Sequence, residues 1–160
     1  MKKGSSLIYA LGVMISGAVA AETSAPVVKP TIPTNEWTMI RQVAVNYSLT
    51  DEQTWLLAAI RRIENGRPGL EFGIGGPMNS GHRAHRYRDG VKSFYVQAAW
   101  AAGTIKKHPD EKPLVFAARY CPKNPERWHT STTNIIARLK KENAGKLPGA
   151  KPAKKKLDFP

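Results

Sequence analysis

The chain has 160 residues, with 25 Lys and Arg against 12 Asp and Glu, and a formal net charge of +13. Its single cysteine, Cys121, excludes an intramolecular disulfide, so the fold rests on a hydrophobic core. This length supports one small domain rather than two, and the charge favours anionic partners.

Met1-Lys2-Lys3, an apolar stretch from Leu7 to Val19 and Ala18-Val19-Ala20 before Ala21 read as a secretory signal peptide over residues 1–21. The stretch is short for a membrane span and is interrupted by Gly12 and Gly17, so no stable span is expected after cleavage. An uncleaved membrane anchor is the alternative. The expected location is periplasmic or secreted, from a bacterium. Loss of Lys2 and Lys3 lowers the charge from +13 to +11. Cell-wall polymers are the anionic partners an exported protein meets. Nucleic acid is not expected, because no recognisable motif accompanies the charge.

Residues 22–33 (ETSAPVVKPTIP) are rich in Pro and Thr without a period and read as a linker. A helix is predicted over 35–47, with Trp37, Ile40, Ala44 and Tyr47 on one face. Thr50 then caps a helix from Asp51 to Glu64, and Gln53 at its third position completes a capping box. At about 100° per residue, Leu56, Leu57, Ala59, Ile60 and Ile63 form its apolar face. Glu64 falls on that face, between Ile60 and Leu57, before Asn65-Gly66 ends the helix. Desolvation and the negative end of the helix dipole both favour the protonated form of a carboxyl group. That form is what acid-catalysed cleavage of a glycosidic bond needs. The plainer alternative is a surface glutamate paired with Arg61 or Arg67.

Residues 65–90 hold seven glycines and two prolines without helical period, and predict a Gly-rich loop or small β-hairpin. Within it Glu71 is a possible second carboxylate, unless it pairs with Arg67 or Arg61, and Phe72 is a candidate cleft residue. His82 and His85 form an H-x-x-H, but Arg83, Arg86 and Arg88 crowd them with positive charge. A basic loop is expected there, with no metal and no cofactor. Tyr87, Tyr95 and Trp100 are candidates for sugar stacking or for the core.

A helix over 91–107 carries apolar residues on two sides, which predicts a central, buried element. Pro113 opens a short helix, 114–120 (LVFAARY), and Cys121 beyond it reads as a buried, inert thiol. Asn124-Pro125 supply cap and first residue for a last helix reaching Lys141, with Trp128, Thr132, Ile135 and Leu139 inward. Residues 144–160, with five lysines and one aspartate, read as a disordered basic tail suited to anionic wall polymers. The expected domain thus spans 34–143 and is mainly α.

Two of these segments carry a resemblance. Leu56 to Gly66, LLAAIRRIENG, is similar to the motif of soluble lytic transglycosylases and goose-type lysozymes, whose LLAAIxxxESG helix ends in the catalytic glutamate. Phe116 to Tyr120, FAARY, resembles that family's second segment, ALAAYNAG, whose tyrosine faces the glutamate. The order helix, glutamate, glycine-rich loop, helix, AxxY, helix is shared over roughly residues 50–141. Asn65 replaces the family's serine, the Gly-Leu-Met-Gln segment has no counterpart, and Cys121-Pro122-Lys123-Asn124 stands where Asn-Ala-Gly would be. Glu64 and Tyr120 are the positions that match residue by residue.

The resemblance implies a divergent lysozyme-like domain that cleaves the β-1,4 bond between N-acetylmuramic acid and N-acetylglucosamine in peptidoglycan glycan strands. Glu64 would be its general acid/base, and Tyr120, Phe72 and Tyr95 the substrate-binding candidates. One glutamate suffices for an anhydro-forming lytic reaction, whereas muramidase hydrolysis calls for a second carboxylate such as Glu71. The alternative is a non-catalytic wall-binding or assembly protein that retains the fold. A monomer is expected.

Overall fold

The computed structural model describes residues 32–74 and 91–154. The expected signal peptide, most of the linker, and His82, His85 and Tyr87 lie outside the described residues. Five α-helices and no strand occur among the described residues: α1 (Thr34–Asn46), α2 (Asp51–Glu64), α3 (Val91–Lys107), α4 (Pro113–Tyr120) and α5 (Pro125–Glu142). The protein is mainly helical. None of these helices is long and apolar enough to cross a membrane.

Helix α2 is the hub, packing against α1, α3 and α5, while α3 also meets α1 and α4 lies on α5. The sequence points to α3 as the central element. It is extensively buried, but α2 has the neighbours on more sides. The reason lies in α2's own residues. Leu57, Ala58, Ala59 and Ile60 run consecutively and are all fully buried, so it buries most of its circumference. Trp55 adds an edge-to-face contact with Trp37 of α1, ring centroids 5.6 Å apart.

The α2 ends are set locally. Thr50 Oγ1 accepts from Gln53 N at 3.2 Å and Gln53 Oε1 accepts from Thr50 N at 3.0 Å, which closes the capping box. At the other end Asn65 adopts the left-handed conformation (φ 42°) and donates its backbone N–H to Arg61 O. Gly66 then serves a different purpose from ending the helix. A Cβ there would lie 1.7 Å from Leu70 O, so only glycine lets the following loop fold back so closely.

Two ion pairs clamp the hub. Arg61 makes a bidentate pair with Glu36 of α1, at 2.9 and 2.8 Å, and lies over the Phe94 ring of α3. Arg62, 5 % exposed, pairs with Glu142 at the end of α5 at 3.2 Å, and Arg138 meets the other Glu142 oxygen at 2.7 Å. Partial desolvation opposes ionisation of Glu142, but Arg138 and Arg62 outweigh it and hold the carboxyl below its ordinary value near 4.5. Its folded pKa being depressed, the stabilisation is complete above pH 4.5 and is lost as pH falls through the lowered folded value. Thermal melts between pH 6 and pH 3 should therefore show wild type losing more stability on acidification than Glu142→Gln. Equal acid dependence of the two proteins would reject this coupling.

Described residues on both sides of 34–143 also reach the core. Ile32, in the segment read as a linker, is buried in the core. Residues 144–154, read as part of a disordered tail, return over α1. Leu147 packs against the core and Gln42 Nε2 donates to Ala153 O at 3.1 Å. Each of these polar segments places one apolar side chain, Ile32 or Leu147, in or against the core.

Candidate functional site

Glu64 closes α2 and is half-buried. Its neighbours come from three parts of the chain. Trp128 of α5 donates its indole Nε1–H to Glu64 Oε1 at 3.1 Å. Gly73, with φ 69°, approaches so closely that a Cβ would sit 2.3 Å from Glu64 Oε2. Burial, and after it the nearby Glu64 charge, push the phenol of Tyr120 of α4 well above its usual range. It therefore remains a neutral donor, and its hydroxyl gives a 2.7 Å hydrogen bond to Phe72 O.

No cation neutralises this carboxylate among the described residues. Arg61 is taken by Glu36 and Arg62 by Glu142, so the alternative of a surface Glu64–Arg61 pair does not hold. Instead Glu64 receives one neutral donor, the Trp128 indole, at the end of an apolar helix face.

The aromatic side chains form a continuous wall. Tyr120 stacks on Trp128 with centroids 5.1 Å apart, and Phe116 meets both, at 6.1 and 6.2 Å. Short α4 is held in place largely through this wall, with Pro113 at its first turn and Phe116 and Ala117 as its buried residues. Trp128 is thus fixed by packing on its faces and by Glu64 at its edge.

The loop from Gly66 to Ile74 is organised around two buried polar side chains. Gln97 of α3 is fully buried. Its Oε1 accepts from Phe72 N at 3.3 Å and from Ile74 N at 3.2 Å, and its Nε2 donates to Gly69 O at 3.0 Å and Ile74 O at 2.8 Å. Glu71, 4 % exposed, accepts from Gly69 N at 3.0 Å and from the Ser93 hydroxyl. Together they hold the segment that carries Gly73 against Glu64.

This arrangement separates the sequence candidates. Glu64 and Tyr120 meet at one place. Glu71 forms an ion pair with neither Arg67 nor Arg61; its buried carboxylate is turned inward to Ser93 and Gly69. Phe72, expected in a cleft, is a fully buried core residue at 5.2 Å centroid distance from Phe94. The alternation in Glu71-Phe72-Gly73 leaves open which side chain turns inward, and here both Glu71 and Phe72 do. Tyr95 is half-buried against the core, and burial raises its pKa. On α3 it lies about 160° round from Gln97 at 100° per residue, on the side away from the residue that holds the loop. Cys121 is a half-buried free thiol rather than a fully buried one. The residues that sequence reading passed over are Trp128 as the Glu64 partner and Gln97 as the loop's anchor. The one available signal for Trp128 was that an inward tryptophan needs an acceptor for its N–H.

An open cavity of about 290 Å³ is lined by Trp128, Phe116, Ile105, Leu56 and Ile136, and Glu64 is not among its lining residues. Comparison of the chain with protein-family models, with curated proteins and with solved structures finds no match.

Proposed function

We propose that this chain is an exported, lysozyme-like enzyme that cleaves the β-1,4 bond between N-acetylmuramic acid and N-acetylglucosamine in peptidoglycan, with Glu64 as general acid and base. The observation that carries the reading is the Glu64 carboxylate itself. It ends the hub helix, is held by the Trp128 indole, faces no cation among the described residues, and has Tyr120 beside it. The LLAAIRRIENG and FAARY resemblances give that carboxylate its substrate class.

Between the two reaction types, the lytic one is favoured. Hydrolysis calls for a second carboxylate across the bond. Glu71, the nearest candidate in sequence, spends both oxygens on Ser93 and Gly69 and is buried. A single acid suffices if the sugar supplies its own nucleophile. Protonated Glu64 gives its proton to the glycosidic oxygen as the C1–O bond breaks. The resulting carboxylate then takes the proton of the C6 hydroxyl as that oxygen bonds to C1, leaving a 1,6-anhydro end and regenerating the acid. The Trp128 hydrogen bond stabilises the ionised form between the two steps.

Digestion of purified sacculi tests this. Wild type should release muropeptides with anhydro ends, and Glu64→Gln should release them about a thousandfold more slowly or not at all. Reducing ends would indicate hydrolysis instead. If both proteins bind sacculi and neither releases product, the chain is a wall-binding protein and the enzyme reading falls.

A further inference from the structure

We propose a second binding site, for a phosphate monoester, near the opposite end of α2 from Glu64. It does not rest on the chemistry proposed for Glu64. After α5 the chain turns through Ala144 (φ 51°) and Gly145 (φ 73°) and runs back over α1. This return brings Lys151 and Lys154 to Arg41 of α1. The three cations, with Ser48, Asp51 and Leu147, line one open cavity of about 300 Å³.

Lys151 and Lys154 are exposed and solvated, and their convergence with Arg41 on one cavity gives it a positive potential that attracts anions. Among the described residues no ion pair holds Arg41, Lys151 or Lys154, and Asp51 is the one acidic residue in the cavity's lining. The positive end of the α2 dipole adds to the imbalance. Three cations against one carboxylate leave a net charge of +2. A phosphate monoester, at about −1.5 to −2, cancels that charge, whereas a carboxylate leaves roughly half of it. The residue types agree. An arginine fork takes two phosphate oxygens, lysines add point charges, and the Ser48 hydroxyl supplies a neutral donor. The apolar wall at Leu147, Ala44 and Val45 leaves room for a small organic group beside the phosphate.

The test is calorimetric titration of the full chain at constant ionic strength. The probes are glucose 1-phosphate, inorganic phosphate and galacturonate, with vesicles containing phosphatidic acid as a separate arm. The two soluble phosphates should bind at least about tenfold more tightly than galacturonate. Lys151→Ala and Lys154→Ala should each weaken glucose 1-phosphate binding by about tenfold, the value of one charged hydrogen bond. Asp51→Asn should tighten it. Binding to the vesicles alone, lost in the same two lysine variants, would keep the phosphate chemistry and locate its source in a lipid headgroup. Equal affinity for galacturonate and the phosphates, insensitivity to both lysine variants, or no binding of any probe would overturn the proposal.

Discussion

On the proposed reaction, Gly73→Ala is expected to leave a folded protein and to lower peptidoglycan cleavage by about a hundredfold or more. Two penalties fall on the new methyl group. The backbone at Gly73 has φ 69°, a region where an L side chain costs about 1–2 kcal/mol. The new Cβ would also meet Glu64 Oε2 at 2.3 Å, Cδ at 2.6 Å and Cγ at 2.9 Å. The glutamate is the softer partner, so it gives way. To do so it must break its 3.1 Å hydrogen bond from Trp128. Displacement of a catalytic group by about 1 Å costs on the order of a hundredfold in rate. Gly145→Ala separates the two penalties, because Gly145 has φ 73° but nothing within 4 Å of its added Cβ. Both variants should lose melting temperature, Gly73→Ala the more because of its clash with Glu64, and only Gly73→Ala should lose turnover. The Trp128 indole N–H resonance should move in Gly73→Ala alone. Wild-type turnover in Gly73→Ala would mean that the observed Glu64 position is not the working one.

Helix α2 shows how far local chemistry reaches. Its limits, Asp51 and Glu64, and its capping box are fixed within four residues of each end, by Thr50, Gln53 and Asn65. The same holds for Pro113 in α4 and for Asn124-Pro125 in α5. Glu64 stood out because a charge on an apolar stripe is itself a local anomaly.

What completes the site is not local. Trp128 is 64 residues from Glu64, and periodicity places its ring inward without naming the acceptor of its N–H. Glu71 and Phe72 sit on a turn whose conformation is imposed by Gln97, some 25 residues later, so their directions follow from a contact that pattern cannot express. The returning segment at 144–154 was hidden by composition. Its lysines dominate the average, while Leu147 and a hydrogen bond from Gln42 to Ala153 O provide the attachment.

Gln97→Ala is expected to destabilise the fold by roughly 4 kcal/mol and to lower the melting temperature by about 20 °C. The side chain is fully buried and serves four backbone groups: the N–H of Phe72 and of Ile74, and the carbonyls of Gly69 and Ile74. Alanine leaves all four without this partner, those of Phe72 and Gly69 in buried surroundings and those of Ile74 half-buried, and each buried one costs about 1–3 kcal/mol with partial relief by relaxation. It also opens a cavity beside the Phe72–Phe94 contact. Gln97→Glu is the sharper probe. It keeps the volume and the acceptor oxygen facing Phe72 N and Ile74 N, but turns the donor toward Gly69 O and Ile74 O into a second acceptor. Two carbonyls then face a carboxyl group, which must take up a proton or break the turn. Its melting temperature should therefore rise on acidification relative to wild type, whereas Gln97→Ala should track wild type at every pH. A Gln97→Ala protein as stable as wild type would show that the loop is held by other contacts, and that Gly73 owes its place against Glu64 to something other than this side chain.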